Sequence, residues 1–249
     1  MLTRLTHFLG HFPVKILRGL ARGAWFSIYP HSAYWRLGGN DPAVEAALLG
    51  HACRPGLVCW DLGAHYGIYA VGLARHVGPG GCVEAFEPDP VSFRRLSWHA
   101  RLNRLPQLKL HPVAASDAQG TARLYQYDGF GSTTSHLPFP GETLAKVPYR
   151  EITTVALDAW VATGRIRSPH FIKIDVEGHA VPALRGMRHT LSIARPAILL
   201  GVHTHEELHG CRALLSELGY TFQPCSPATL AELETNPFGE LLCLPPKAT

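Results

Sequence analysis

The sequence predicts an α/β fold built on a mostly parallel sheet. Short apolar strands alternate with helices from residue 57 onward, and the strands end in acids followed by glycine- or proline-containing turns. The short strand–helix–strand spacing suits right-handed crossovers between parallel strands. At 249 residues, 46% of them hydrophobic and 17% charged, the chain can bury one large core and is neither disordered nor fibrous. No stretch reaches the roughly 18 apolar residues of a membrane-spanning helix, so no span is expected.

The elements follow in order. Residues 2–28 mix apolar and basic side chains, with Pro13 read as a helix start and Pro30 as a stop. Asp41 and Pro42 suit the N-cap and first position of a helix Ala43–His51. Leu57–Asp61 reads as a strand, Tyr66–His76 as a helix, Cys82–Phe86 as a strand, Val91–Asn103 as a helix and Leu108–Ala115 as a third strand. Thr121–Tyr127 and Arg150–Val155 read as strands around a long loop, Asp128–Pro148, rich in Gly, Ser, Thr and Pro and expected to form a lid or substrate wall. The rhythm resumes with helix Leu157–Thr163, strand Phe171–Val176, a helix near Pro182–Ile193, strand Ala197–Val202 and helix Glu206–Leu218. Tyr220–Pro224 and Glu240–Leu244 are expected to pair as an antiparallel hairpin.

Charge divides the chain. Residues 1–40 hold Arg4, Lys15, Arg18, Arg22 and Arg36 and no acid, whereas the remainder is near neutral. A neutral body argues against a nucleic-acid-binding protein. Residues 1–40 are therefore expected to be a basic accessory segment, either a solvated arm or a peripheral contact with anionic lipid at the inner membrane face, and residues 41–249 the catalytic domain. Six cysteines without a C-x-x-C pair, and an N-terminus broken by Arg4, His7, His11 and Lys15, point to a reduced cytoplasmic chain. The cysteines offer no closely spaced ligand pairs. His203, His205 and His209 attract a metal reading, with His205 and His209 i, i+4 on a helix, but fifteen histidines are scattered through the chain and no metal site is expected.

Two motifs carry chemistry. Asp61-Leu-Gly63-Ala-His65-Tyr-Gly67 follows a strand and precedes a helix, with glycines where the backbone must turn tightly. An acid leads and the glycines are four apart, unlike the G-x-G-x-x-G of a dinucleotide fold, which disfavours an NAD-dependent oxidoreductase. Glu87 ends the next strand, so the two acids face one crevice, and a carboxylate there can grip a ribose diol. Further on, Lys173, Asp175 and Glu177 alternate along an apolar strand and start on one side of it. They either brace the sheet as buried ion pairs or bring charged groups to the crevice to position a substrate. His203 and His179 are candidate proton acceptors.

The first motif and Glu87-Pro-Asp resemble the cofactor motifs of class I S-adenosylmethionine-dependent methyltransferases. Leu157-Asp158, Phe171-Ile-Lys173-Ile-Asp175-Val-Glu177-Gly178, Leu184-Arg-Gly186 and Arg195-Pro196-Ala-Ile-Leu resemble the FkbM family of methyltransferases, over roughly residues 40–244. The resemblance implies a Rossmann-like three-layer sandwich with a seven-stranded sheet whose last strand is antiparallel. It implies S-adenosyl-L-methionine as cofactor, and O-methylation of a sugar, glycosyl unit or other small hydroxylated acceptor. It places Asp61, Gly63, His65 and Gly67 at the cofactor's methionine end, Glu87 at its ribose, and Ser116 and Asp117 near its adenine. Three positions depart from the family pattern: His65 stands for asparagine, Ala180 for a second glutamate, and Gly201 for a strand-end acid. The last two leave open a protein that binds the cofactor without transferring methyl groups.

Overall fold

The computed structural model describes residues 13–27, 42–126, 136–138, 144–225 and 230–246. Pro30, the Asp41 cap, residues 1–12 and most of the expected covering loop, including its 131–135 run, lie outside them. The first described elements are β1 (Pro13–Lys15) and β2 (Trp25–Ser27), an antiparallel pair with Val14 opposite Phe26. Pro13 thus opens a strand, not a helix; at a strand's first residue its missing N–H costs no ladder bond. Ile16, Leu20, Ala24 and Phe26 are buried in the same core cluster as Val44 and Leu48 of α1 (Pro42–His51). The described part of the basic segment therefore does not stand apart from the expected domain but contributes to its core.

The first half of the sheet runs β3 (Val58–Leu62), α2 (Ile68–Val77), β4 (Cys82–Phe86), α3 (Pro90–Leu102) and β5 (Leu108–His111), its strands parallel, with Asp61 opposite Ala85 and Ala85 opposite Leu110. Helix α3 starts where Asp89 accepts hydrogen bonds from the N–H groups of Val91 and Ser92, with Pro90 in the first turn. The single strand expected over Leu108–Ala115 is broken. Pro112 has no N–H to give a ladder, and beyond it β6 (Ala114–Ala115) leaves for a three-stranded side sheet with β7 (Gly120–Tyr125) and β8 (Tyr149–Val155).

The second half contains α4 (Leu157–Ala162), β9 (Phe171–Ile174), α5 (Ala180–Arg185), α6 (Arg188–Ala194), β10 (Ala197–Val202), α7 (His205–Glu217), β11 (Thr221–Pro224), α8 (Leu230–Thr235) and β12 (Gly239–Leu244). The one helix expected near Pro182–Ile193 is two, parted at Gly186, where a Cβ would stand 1.8 Å from the Ser116 carbonyl oxygen. The seven strands lie in the order β11-β12-β10-β9-β3-β4-β5, and β12 runs antiparallel to both neighbours. Alternate side chains feed two cores: Trp60, Ile172 and Leu200 join one, and Cys59, Phe171 and Leu199 the other. No helix among the described residues is long and apolar enough to cross a membrane. Strand order reverses between β3 and β9, and the crevice at their carboxyl ends is where open α/β sheets hold ligands.

Candidate active site

On the β3 side the backbone itself is specialised. Gly63 has φ +80°, and a Cβ there would fall 1.9 Å from the Asp175 carbonyl oxygen; Gly67, at φ +89°, would meet Leu96 at 2.4 Å. His65 also sits in the left-handed region, φ 49°, one that Asn and His enter more readily than most residues, which reconciles this departure with the asparagine of the family. Its N–H donates to Glu87 Oε2 at 2.7 Å, and the Asp89 N–H donates to Glu87 Oε1 at 2.8 Å. Glu87 is thereby fixed at the end of β4. Burial pushes its pKa up to about 8 against those two donors.

Asp61 is 1% exposed, and neither of its carboxylate oxygens has a hydrogen-bond partner. Lys173, its register partner on β9, stands off at 3.9 Å. Burial pushes Asp61 up to about 6, opposed by the Lys173 charge. A buried carboxylate left this way is costly unless something else meets it.

A cavity of about 240 Å³ opens over these strand ends, with Gly63, His65 and Glu87 on one side and Lys173, Asp175 and Glu177 on another. Its apolar wall includes Val113, Ala114, Leu124 and Leu137, suited to a flat ring. Ser116 and Asp117 are not on that wall; the Ser116 hydroxyl lies 3.0 Å from His179 Nε2, and it is His179 that reaches the cavity. Of the expected covering loop, His136 and Leu137 line the cavity.

The β9–β10 side differs from the sequence expectation. β9 ends at Ile174, so Asp175 and Glu177 lie beyond the strand, and Glu177 reaches the site through a left-handed turn, φ 47°, followed by Gly178 at φ 90°. Lys173 Nζ donates to Asp175 Oδ2 at 3.0 Å and lies over the Tyr69 ring. Although burial opposes both charges, each holds the other: Lys173 is raised and Asp175 falls well below the usual carboxylate range. His203, just past β10, meets three carboxylates, Asp175 at 3.4 Å, Glu177 at 3.6 Å and Glu207 at 3.3 Å. Burial works against its charge, yet these neighbours push its pKa up to about 10. Burial lowers the pKa of His179.

Glu207 was missed by sequence reasoning. Its buried carboxylate accepts from the N–H groups of Ala180 at 3.0 Å and His203 at 2.9 Å, tying α7 to the start of α5 and to the end of β10. The signal was the i, i+4 spacing from His203. His205 and His209 do not join that group; both lie against Glu234 of α8.

A mostly parallel seven-stranded sheet with β12 reversed, and acids ending β3 and β4, defines a class I methyltransferase fold. The Methyltransferase FkbM domain matches residues 61–222, more than half of the chain, and the protein belongs to the FkbM methyltransferase family. The crystal structure of methyltransferase FkbM from Methylobacillus flagellatus aligns with TM-score 0.53 at 18% identity, over 83% of this chain and 55% of that one. The hexuronic acid methyltransferase AglP of Haloferax volcanii is 26% identical over 168 residues, which span 64% of this chain and 62% of the relative.

Proposed function

We propose that the protein is an S-adenosylmethionine-dependent O-methyltransferase acting on a hydroxyl of a small saccharide acceptor, with hexuronic acid units foremost. The buried carboxylate of Asp61, without a hydrogen-bond partner and two residues before the cavity-lining Gly63, carries the reading of the cofactor. A buried anion whose cation partner, Lys173, stands off at 3.9 Å suits the ammonium of a methionine moiety. The two Glu87 oxygens, each already taking one backbone N–H, keep lone pairs for a ribose diol, and the Val113–Ala115 wall suits adenine. When bound, S-adenosylmethionine supplies an electrophilic methyl group. The relative's printed substrate supports a uronic acid acceptor.

On the other side Asp175, held ionised by Lys173, accepts a hydrogen bond from the acceptor hydroxyl and aims its oxygen. Alignment of this kind supplies at most about 7–11 kcal/mol, and a proton acceptor roughly 10²–10⁴-fold. His179, which reaches the cavity with its pKa lowered, is the group for that role, whereas His203 is already held protonated by its three carboxylates. Ala180 and Gly201 favour a second reading, cofactor binding without transfer. Against it, Glu207 brings a carboxylate to the backbone N–H of Ala180 and to His203.

Calorimetry with S-adenosylhomocysteine and with NAD, followed by labelled methyl transfer to a panel of uronic acids and neutral sugars, tests the proposal. Binding of the homocysteine product but not NAD, with label on an acceptor oxygen, is expected. NAD binding without S-adenosylhomocysteine binding overturns it, and product binding without transfer to any acceptor leaves the second reading.

A further inference from the structure

We infer that Asp175, Glu177 and His203 bind one first-row divalent cation of the Mn²⁺ class, placed to take oxygen atoms of the acceptor. The acceptor's part rests on the function proposed above; the cation site does not. One donor atom from each residue lies within 4.8 Å of the other two. His203 Nε2 is 3.4 Å from Asp175 Oδ1 and 3.6 Å from Glu177 Oε2. Both separations exceed the about 2.7–3.2 Å of a good N–H···O bond. They approach the roughly 3.0–3.4 Å that separates neighbouring ligands on an ion with bonds of about 2.0–2.2 Å.

The rest of the imidazole is arranged to match. Nδ1 faces the Glu207 carboxylate at 3.3 Å, and that carboxylate is itself pinned by two backbone N–H groups. A carboxylate behind a ligating histidine sets its tautomer and ring orientation. Here it aims Nε2 at Asp175 and Glu177, and the ion takes the place of the proton that Nε2 carries between those carboxylates, so binding releases it. Three carboxylates converge, with Lys173 as the cation paired to Asp175; a divalent ion offsets the remaining like-charge repulsion. Two carboxylates and an imidazole form a mixed oxygen–nitrogen set, which suits Mn²⁺ and its neighbours better than Ca²⁺.

Space for further ligands is present. Asp175 and Glu177 line both the cofactor cavity and a second one of about 360 Å³, which His203, Gly201 and Phe238 also line. Gly201 makes that approach possible, since a Cβ there would come within 3.1 Å of Asp175 Oδ1. The absence of a side chain at Gly201 thus opens room beside the site. Hydroxyl and carboxylate oxygens of an acceptor are hard donors fit for the ion's remaining positions.

The test is titration of chelator-treated full-length protein with Mn²⁺ alone, followed by the loss of the free-ion electron paramagnetic resonance signal. One saturable site per chain is expected, weakened at least tenfold by Glu177→Gln and by His203→Ala. Glu207→Gln, which leaves all three ligands in place, weakens it about 10–100-fold. S-adenosylhomocysteine affinity within twofold of wild type shows that each variant is folded. Absence of a saturable site in the wild-type protein at millimolar Mn²⁺ overturns the inference, as does wild-type binding by a Glu177→Gln/His203→Ala double variant. Mn²⁺ binding alongside failure to bind S-adenosylhomocysteine leaves the cation site standing and removes the proposed function instead.

Discussion

The two sides of the crevice are built differently. The β3–β4 side is a backbone device: left-handed residues at 63, 65 and 67, a carboxylate pinned by two N–H groups, and an orphaned buried acid beneath. The β9–β10 side is a side-chain network in which Lys173, Asp175, Glu177, His203 and Glu207 hold one another in place. A backbone cradle serves one invariant ligand, whereas a network of side chains can be retuned to different acceptors. On the proposed function, the first side would hold the cofactor and the second the acceptor.

Substitutions break this division at different strengths. The largest effect is expected from Gly63→Ala, which forces a Cβ to 1.9 Å from the Asp175 carbonyl oxygen at φ +80°. Backbone strain there costs about 1–3 kcal/mol before the overlap is counted; calorimetry is expected to show no S-adenosylhomocysteine binding, and thermal denaturation a lower Tm. Phe26→Ala comes next. The Phe26 ring packs on His99, which accepts from the Ser27 N–H through Nε2 at 3.1 Å and donates from Nδ1 to the Tyr66 carbonyl at 2.7 Å, behind the cofactor turn. Emptying that site is expected to cost about 3–5 kcal/mol in urea denaturation and to weaken cofactor binding more than acceptor binding. Unchanged stability would return the hairpin to the role of a separate arm.

Glu87→Ala removes a charge-assisted hydrogen bond and is expected to cost about 1.5–3 kcal/mol of S-adenosylhomocysteine affinity. The smallest effect is one of pH. Burial raises Glu87 from its ordinary 4.5 to about 8, so its contribution to stability is present below the lower value and lost as pH rises through the upper one. Ribose hydroxyls donate to the ionised form, so product affinity is expected to rise between pH 6 and 8, by less than tenfold per unit, and to level off above. Affinity independent of pH across that range would show that Glu87 does not meet the ribose.

Legibility followed the same division. The cofactor side could be read because its requirements are local: a strand end, glycines at fixed offsets, and an acid ending each of two neighbouring strands. The acceptor side depends on where the chain turns after β9. Alternation put Lys173, Asp175 and Glu177 in one row, but β9 stops at Ile174 and Glu177 arrives through a left-handed turn. Ligand-pair spacing points to His205 and His209 beside His203 rather than to Asp175 and Glu177, because Glu177 and His203 belong to different strand ends and meet only in the fold. Pro13 misled for a related reason: the hairpin it begins is held by burial of Ile16, Leu20 and Phe26 against α1 and α2, not by local preference. Pro112, by contrast, marked a break that the sequence already carried.

The division itself is tested most directly by Asp175→Asn, the one change that separates binding from transfer. The measurement is single-turnover methyl transfer by a variant shown by calorimetry to be folded and loaded with S-adenosylmethionine, compared with wild type on the same uronic acid acceptor. The account predicts cofactor affinity close to wild type and transfer slower by roughly 10²-fold or more. Wild-type transfer in the loaded variant, or loss of cofactor affinity equal to the loss of transfer, would contradict it.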